Sequence, residues 1–135
     1  MSSELSGEMS EAQSFDALYA GQARDAIRAM ARDTLAKGGD AATQAREYTT
    51  RGKPDVALAY LLECALADDE KRAMYAEAFE RRAAATESKA REFDAKFHRP
   101  FPLLASDAAQ DRGRARAVRE GKRLNKGAGK QLPLL

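Results

Sequence analysis

The chain has 135 residues, is 44% hydrophobic but only 7% aromatic, and carries a formal net charge of +2. That length holds one domain with its ends rather than two full domains, and one cysteine, Cys64, excludes an internal disulfide framework and fits a reducing compartment. The charge is unevenly placed: residues 112–135 carry eight Lys/Arg and one acid, a balance of +7, which leaves 1–111 at −5.

Much of the apolar content is alanine, the best helix former, so composition predicts α structure. The core is expected to be thin, with close helix contacts around a few large anchors: Phe15, Tyr48, Tyr60, Phe79 and Phe93. Residues 1–13 are Ser/Glu-rich and read as a disordered or frayed N-terminus, with neither a basic nor an apolar leader region. A first helical stretch is expected over 14–37, capped by Ser14 and stopped by Gly38 and Gly39, with Gly21 a point where it splits in two. Asp40 and Gly52 bracket a second helix over 41–51. Pro54 sits at a first helical position and opens a third over 54–67, whose Val56, Leu58, Leu61, Leu62, Ala65 and Leu66 form a broad apolar face.

The longest helix is expected over 69–97. Acids at its start suit the positive dipole end, and Tyr75, Phe79, Ala83, Thr86, Ala90, Phe93 and Phe97 follow three-and-four spacing along one stripe. Arg99-Pro100 ends it, because proline disfavours helical geometry in the residue before it. An extended segment is expected over 100–104, then a weak helix capped by Ser106, interrupted at Gly113 and Gly121 and ending near Leu124. The fold class is therefore all-α: a small helical bundle or set of helical hairpins with one long helix. The expected organisation is a frayed 1–13, a helical domain over 14–104 and a flexible basic tail over 105–135.

Residues for catalysis or metal binding do not converge in this sequence. It has one His (His98) and one Cys (Cys64), too few for a Cys/His zinc site within a monomer. Cys64 is expected as a buried small hydrophobe, and His98 as a helix-ending residue whose charge suits the negative dipole end. Gly127-Ala128-Gly129-Lys130 has neither the spacing of a phosphate loop nor a following helix. The expectation is a non-enzyme without cofactor or metal. No run reaches the length of apolar residues a membrane span needs, so a cytoplasmic location and no membrane partner are expected. Alanine and arginine richness is consistent with a GC-rich bacterial source.

Two features of the tail bear on partners. If 108–124 is helical, Arg112, Arg116, Arg119 and Arg123 share one face, with Arg114, Lys122 and Lys126 beside it and Lys130 beyond. Such a stripe can neutralise phosphates in a salt-sensitive, sequence-independent way, dock on the acidic body of a partner or of this same domain, or stay solvated. No aromatic side chain lies between 110 and 130, so stacking on single-stranded bases has no support. The chain then closes on an apolar peptide of Gln131, Leu132, Pro133, Leu134 and Leu135. Ordering such a tip costs entropy that nothing offsets unless something binds it.

Two resemblances follow from these residues. The stretch through Ala45, Tyr48, Gly52, Ala57 and Leu61 resembles a tetratricopeptide (TPR) helical hairpin, in which small residues let two antiparallel helices approach and a glycine turns the chain. A faint internal repeat of period 31, against 34 in that family, aligns the segment from Gly21 with that from Gly52. The peptide 131–135 resembles the bacterial sliding-clamp-binding motif, by which polymerases and repair factors grip the replication clamp. The resemblance implies that Gln131 hydrogen-bonds at the groove rim, Leu132 enters one subsite, and Leu134 with Leu135 fills the deeper pocket. Pro133 would stiffen the extended backbone. The family usually ends in an aromatic residue where this chain has Leu135. The function so implied is a non-catalytic adaptor on a larger machine of DNA replication or repair. The alternatives are a nucleic-acid-associated protein using the arginine stripe, or a structural subunit of a homo-oligomer. Another protein partner for the peptide, or its folding back on the helical body, also stays open.

Overall fold

A computed structural model describes residues 14–124, and within them every regular element is helical. The elements are α1 (Phe15–Tyr19), a 3-10 turn (Ala20–Gln22), α2 (Asp25–Ala36), α3 (Ala41–Thr50), α4 (Pro54–Leu61), α5 (Asp68–Phe97) and α6 (Pro102–Arg119). The all-α expectation holds. Residues 1–13 and 131–135, and the expectations placed on them, lie outside the described residues.

Local chemistry sets most boundaries. The Ser14 hydroxyl accepts from the Ala17 N–H at 3.1 Å, and Asp40 Oδ2 accepts from the Thr43 N–H at 2.9 Å, so both expected caps form. The first stretch splits at Gly21, as its 3-10 turn shows. Helices α2, α3 and α6 each end on a left-handed glycine: Gly38, Gly52 and Gly121. At Gly52 the Lys53 N–H reaches the Tyr48 carbonyl and the Gly52 N–H reaches Thr49, the paired bonds of a Schellman motif. Helix α5 closes on His98, which adopts φ 59° while its N–H donates to the Asp94 carbonyl. His98 thus ends the helix as expected, in a conformation that histidine tolerates better than most side chains.

Three expectations need correction. Helix α4 stops at Leu61 rather than near Ala67. No breaker lies between 62 and 67; the chain turns where the Glu63 carboxylate meets Arg28 and Arg32 of α2 at 3.2 and 3.0 Å. Cys64 consequently lies beyond the helix, half-buried at the edge of the core rather than fully inside it. Second, no extended segment spans 100–104. Helix α6 starts at Pro102, not at Ser106, because proline at the first helical position lacks only a donor that would go unpaired there. The boundary expected between 104 and 105 therefore falls inside a helix. Third, Gly113 does not interrupt α6: its Cα faces open space, so it costs helix propensity and nothing more.

The core forms where α1, α3 and α4 meet the first half of α5. An aromatic chain runs through it: Phe15 to Tyr19 at 5.1 Å, Tyr19 to Tyr75 at 5.4 Å, and Tyr75 to Phe79 at 4.9 Å between ring centroids. Leu58, Leu61 and Val118 fill the space around these rings. Of the expected anchors, Phe15, Tyr60 and Phe79 are buried, whereas Tyr48 and Phe93 are half-buried. Helices α3 and α4 form an antiparallel hairpin in which Tyr48 stacks on Tyr60, with ring planes 9° apart. Its turn lies on α5: a Cβ on Gly52 would meet the Arg82 backbone nitrogen at 3.0 Å. One cation enters the core. Lys71 is buried, pairs with Asp16 at 3.3 Å and lies over the Phe15 ring.

Helix α5 is continuous, and α6 folds back antiparallel along it. The seam follows heptad logic on both sides. Phe79, Ala83, Thr86, Ala90, Phe93 and Phe97 alternate by four and three, and Phe101, Leu104, Ala108, Asp111, Ala115 and Val118 by three and four. From residue 84 to residue 107 no side chain is buried, so this part of the hairpin projects as a two-helix arm. At 1.5 Å per residue, the 84–97 stretch of α5 runs about 20 Å beyond the core.

Candidate functional site

The arginine stripe of the last helix is built into the seam. Arg112 forks onto Glu87, with Nε and Nη2 donating at 2.9 and 2.7 Å, and Arg119 forks onto Glu80 at 3.0 and 2.8 Å. Glu80 and Glu87 stand seven residues apart on α5, as Arg112 and Arg119 do on α6, so the two bridges repeat one heptad contact in antiparallel register. Fork geometry gives two parallel charge-assisted bonds per pair. The Arg119 bonds hold the Glu80 carboxyl below the usual range, and those of Arg112 do the same for Glu87.

Between these rungs lies a third. Asp111 occupies a buried seam position, where an apolar residue is expected, and is 4% exposed. Arg82 donates to both its oxygens at 2.8 and 3.0 Å, and Arg114 adds a bond at 2.7 Å. Both guanidiniums also lie over the Phe79 ring, at 5.6 and 6.0 Å. The hydrogen bonds that Arg82 donates to Asp111 raise the Arg82 pKa further. Thr86, Asp107 and Gln110 complete a polar cleft of about 270 Å³ around this cluster.

The expected basic residues therefore divide. Arg112 and Arg119 are bound to carboxylates of α5, the intramolecular docking that the sequence left open, while Arg114 pairs with Asp111 of its own helix. Lys122 pairs with Glu120 at 3.0 Å, and its carbonyl accepts from the Tyr19 hydroxyl at 2.6 Å. Arg116 and Arg123 are exposed. Lys126, Lys130 and the peptide from Gln131 to Leu135 lie outside the described residues. The carboxylates Glu80, Glu87 and Asp111 were missed as site residues in the sequence. Their signal was present in the matched seven-residue spacing and in the apolar stripe of α6 that Asp111 interrupts.

The two residues considered for chemistry are separated in the fold. Cys64 lies in the α4–α5 connection, where Sγ contacts the Leu61 carbonyl at 3.4 Å, while His98 stands exposed at the end of α5. Among the described residues no group of three or more His, Cys, Asp or Glu side chains is placed to hold a metal ion. No helix among them is long and apolar enough to cross a membrane. The fold and seam define a small all-α helical bundle with a projecting antiparallel hairpin. No protein-family model matches the chain, and comparison with curated proteins and with solved structures finds no match.

Proposed function

We propose that this protein is a non-catalytic helical adaptor that docks on a larger machine through residues 131–135. The bacterial sliding clamp is the partner to which the peptide's resemblance points. The observation that carries this reading is the pairing of Arg112, Arg114 and Arg119 with Glu87, Asp111 and Glu80. It makes much of the basic stretch a structural part of the body. The apolar peptide that follows is then the feature whose chemistry suits a groove on another protein. A second observation supports the geometry of a tether. The Tyr19 hydroxyl holds the Lys122 carbonyl and Leu124 packs on the core, so the chain is anchored on the body as far as Leu124. Residues 125–130 have a contour length of about 20 Å between that point and the peptide.

The test is a titration of purified sliding clamp against the full chain and a version lacking 131–135. Affinity on the order of micromolar that the deletion abolishes supports the reading. Absence of binding by either version overturns it. A second reading, phosphate binding by the basic stretch, is favoured by the exposure of Arg116 and Arg123. Salt-sensitive DNA binding that survives deletion of 131–135 would speak for it.

A further inference from the structure

The far end of the α5–α6 arm carries a surface that the seam does not use. Phe93, Phe97 and Phe101 meet there with ring centroids 5.3 to 5.9 Å apart, away from the main core. Phe97 is 50% exposed and Leu103 is 79% exposed, so the cluster closes the seam on one side and faces solvent on the other. Two cations flank it: Lys96 lies 5.5 Å from the Phe97 ring centroid and Arg99 5.7 Å from that of Phe101. No acid occurs between Asp94 and Asp107, and His98 adds a third basic group. Among the described residues, the ion pairs within and between α5 and α6 join Glu77, Glu80, Glu87 and Asp111 to arginines, and none of them engages Lys96 or Arg99.

We propose that this tip docks on an anionic lipid surface. The end of a two-helix arm is convex, and its apolar side chains project from it with cations at their flanks. A convex apolar tip finds its complement in a soft surface that it can enter, where aromatic and aliphatic groups sink to the headgroup boundary and Lys and Arg meet phosphates. Nothing in this contact requires a spanning helix. A second copy is the poorer occupant, because a symmetric tip-to-tip contact would set Lys96 and Arg99 against their own counterparts. The inference is independent of the docking peptide, which follows the C-terminal end of α6 in sequence.

The experiment is sedimentation of the full chain with phosphatidylcholine vesicles, with and without about 30 mol% phosphatidylserine. Binding is expected on the anionic vesicles alone. Leu103→Glu places an acid in the first turn of α6, where the helix dipole favours it, so the fold is retained and circular dichroism checks this. It is expected to weaken vesicle binding at least about ten-fold, by replacing an exposed leucine that would enter the bilayer with a charge that anionic headgroups repel. Lys96→Glu with Arg99→Glu is expected to weaken it by at least about twenty-fold. Anionic binding unchanged by both variants would trace to the basic stretch 112–130 and overturn the proposal. So would equal binding to both vesicle types, or no binding to either. Concentration-dependent dimerisation abolished by Leu103→Glu, without vesicle binding, would overturn it in favour of a second copy.

Discussion

Two glycines show how the same residue type carries opposite constraints in this chain. Gly52 has φ +70°, and a Cβ there would lie 3.0 Å from the Arg82 backbone nitrogen and 3.2 Å from the Arg81 carbonyl carbon. Neither atom can yield without moving α5. Gly52→Ala is expected to destabilise the fold by about 2 kcal/mol in urea unfolding, through backbone strain and displacement of the hairpin turn. Gly113 sits within α6 with nothing within 4 Å of an added Cβ. There Gly113→Ala is expected to stabilise by about 0.5–1 kcal/mol, since alanine improves helix propensity and restricts the unfolded chain. A loss of stability at Gly113 would mean that α6 is not continuous through that position. Asp111 is the third informative residue. Its carboxylate is nearly inaccessible and is shared by Arg82 and Arg114, whose side chains are 38% and 35% exposed. Asp111→Ala leaves both cations near an apolar seam without their partner. The expected cost is about 2 kcal/mol, below that of a fully buried pair because water reaches the guanidiniums.

At the scale of elements, the α5–α6 hairpin is a three-rung ladder on an alanine-rich seam. Small side chains at Ala83, Ala90, Ala108 and Ala115 let the helices approach, but contribute little buried area. The rungs Glu80–Arg119, Arg82–Asp111–Arg114 and Glu87–Arg112 fix register along a seam that alanines alone would specify weakly. Much of this architecture was legible in the sequence. The caps at Ser14 and Asp40, the break at Gly21, Pro54 at the start of α4 and the stripe of α5 each rest on local rules, and each appears in the structure. What was not legible depended on contacts distant in sequence. The end of α4 coincides with Glu63 meeting Arg28 and Arg32, more than thirty residues earlier for both. In α6, the basic residues drew attention to an outward face. The apolar stripe from Phe101 to Val118, which decides how the helix packs, gains meaning only beside its partner on α5.

For the molecule as a whole, charge is organised so that an acidic body neutralises much of its own basic helix. This has a pH consequence with a definite sign. Glu80 and Glu87 are held below their ordinary value of 4.5 by hydrogen bonds from Arg119 and Arg112. Burial opposes ionisation of Glu63, but hydrogen bonds from Arg32 and Arg28 outweigh it, and its pKa also falls. Groups depressed in the folded state contribute stability that is present above the unfolded value and lost as pH falls through the folded one. Thermal stability is therefore expected to drop as pH falls below about 4.5, and Glu80→Gln with Glu87→Gln should flatten that drop. At the other end, burial raises the pKa of Tyr75 above its ordinary 10.0. Its contribution is fully present below that value and lost as pH rises above it, so melts above about pH 10 should show a second decline. The central claim is that α6 uses its arginines to hold the arm together. Its most direct test is the salt dependence of duplex-DNA binding by the full chain and by Arg112→Gln with Arg119→Gln. With both arginines held on Glu87 and Glu80, the two proteins are expected to show the same slope, whatever the residual binding by other basic residues. A slope shallower by about 2 in the variant, with affinity falling uniformly across sequences, would contradict that claim and make those arginines phosphate contacts.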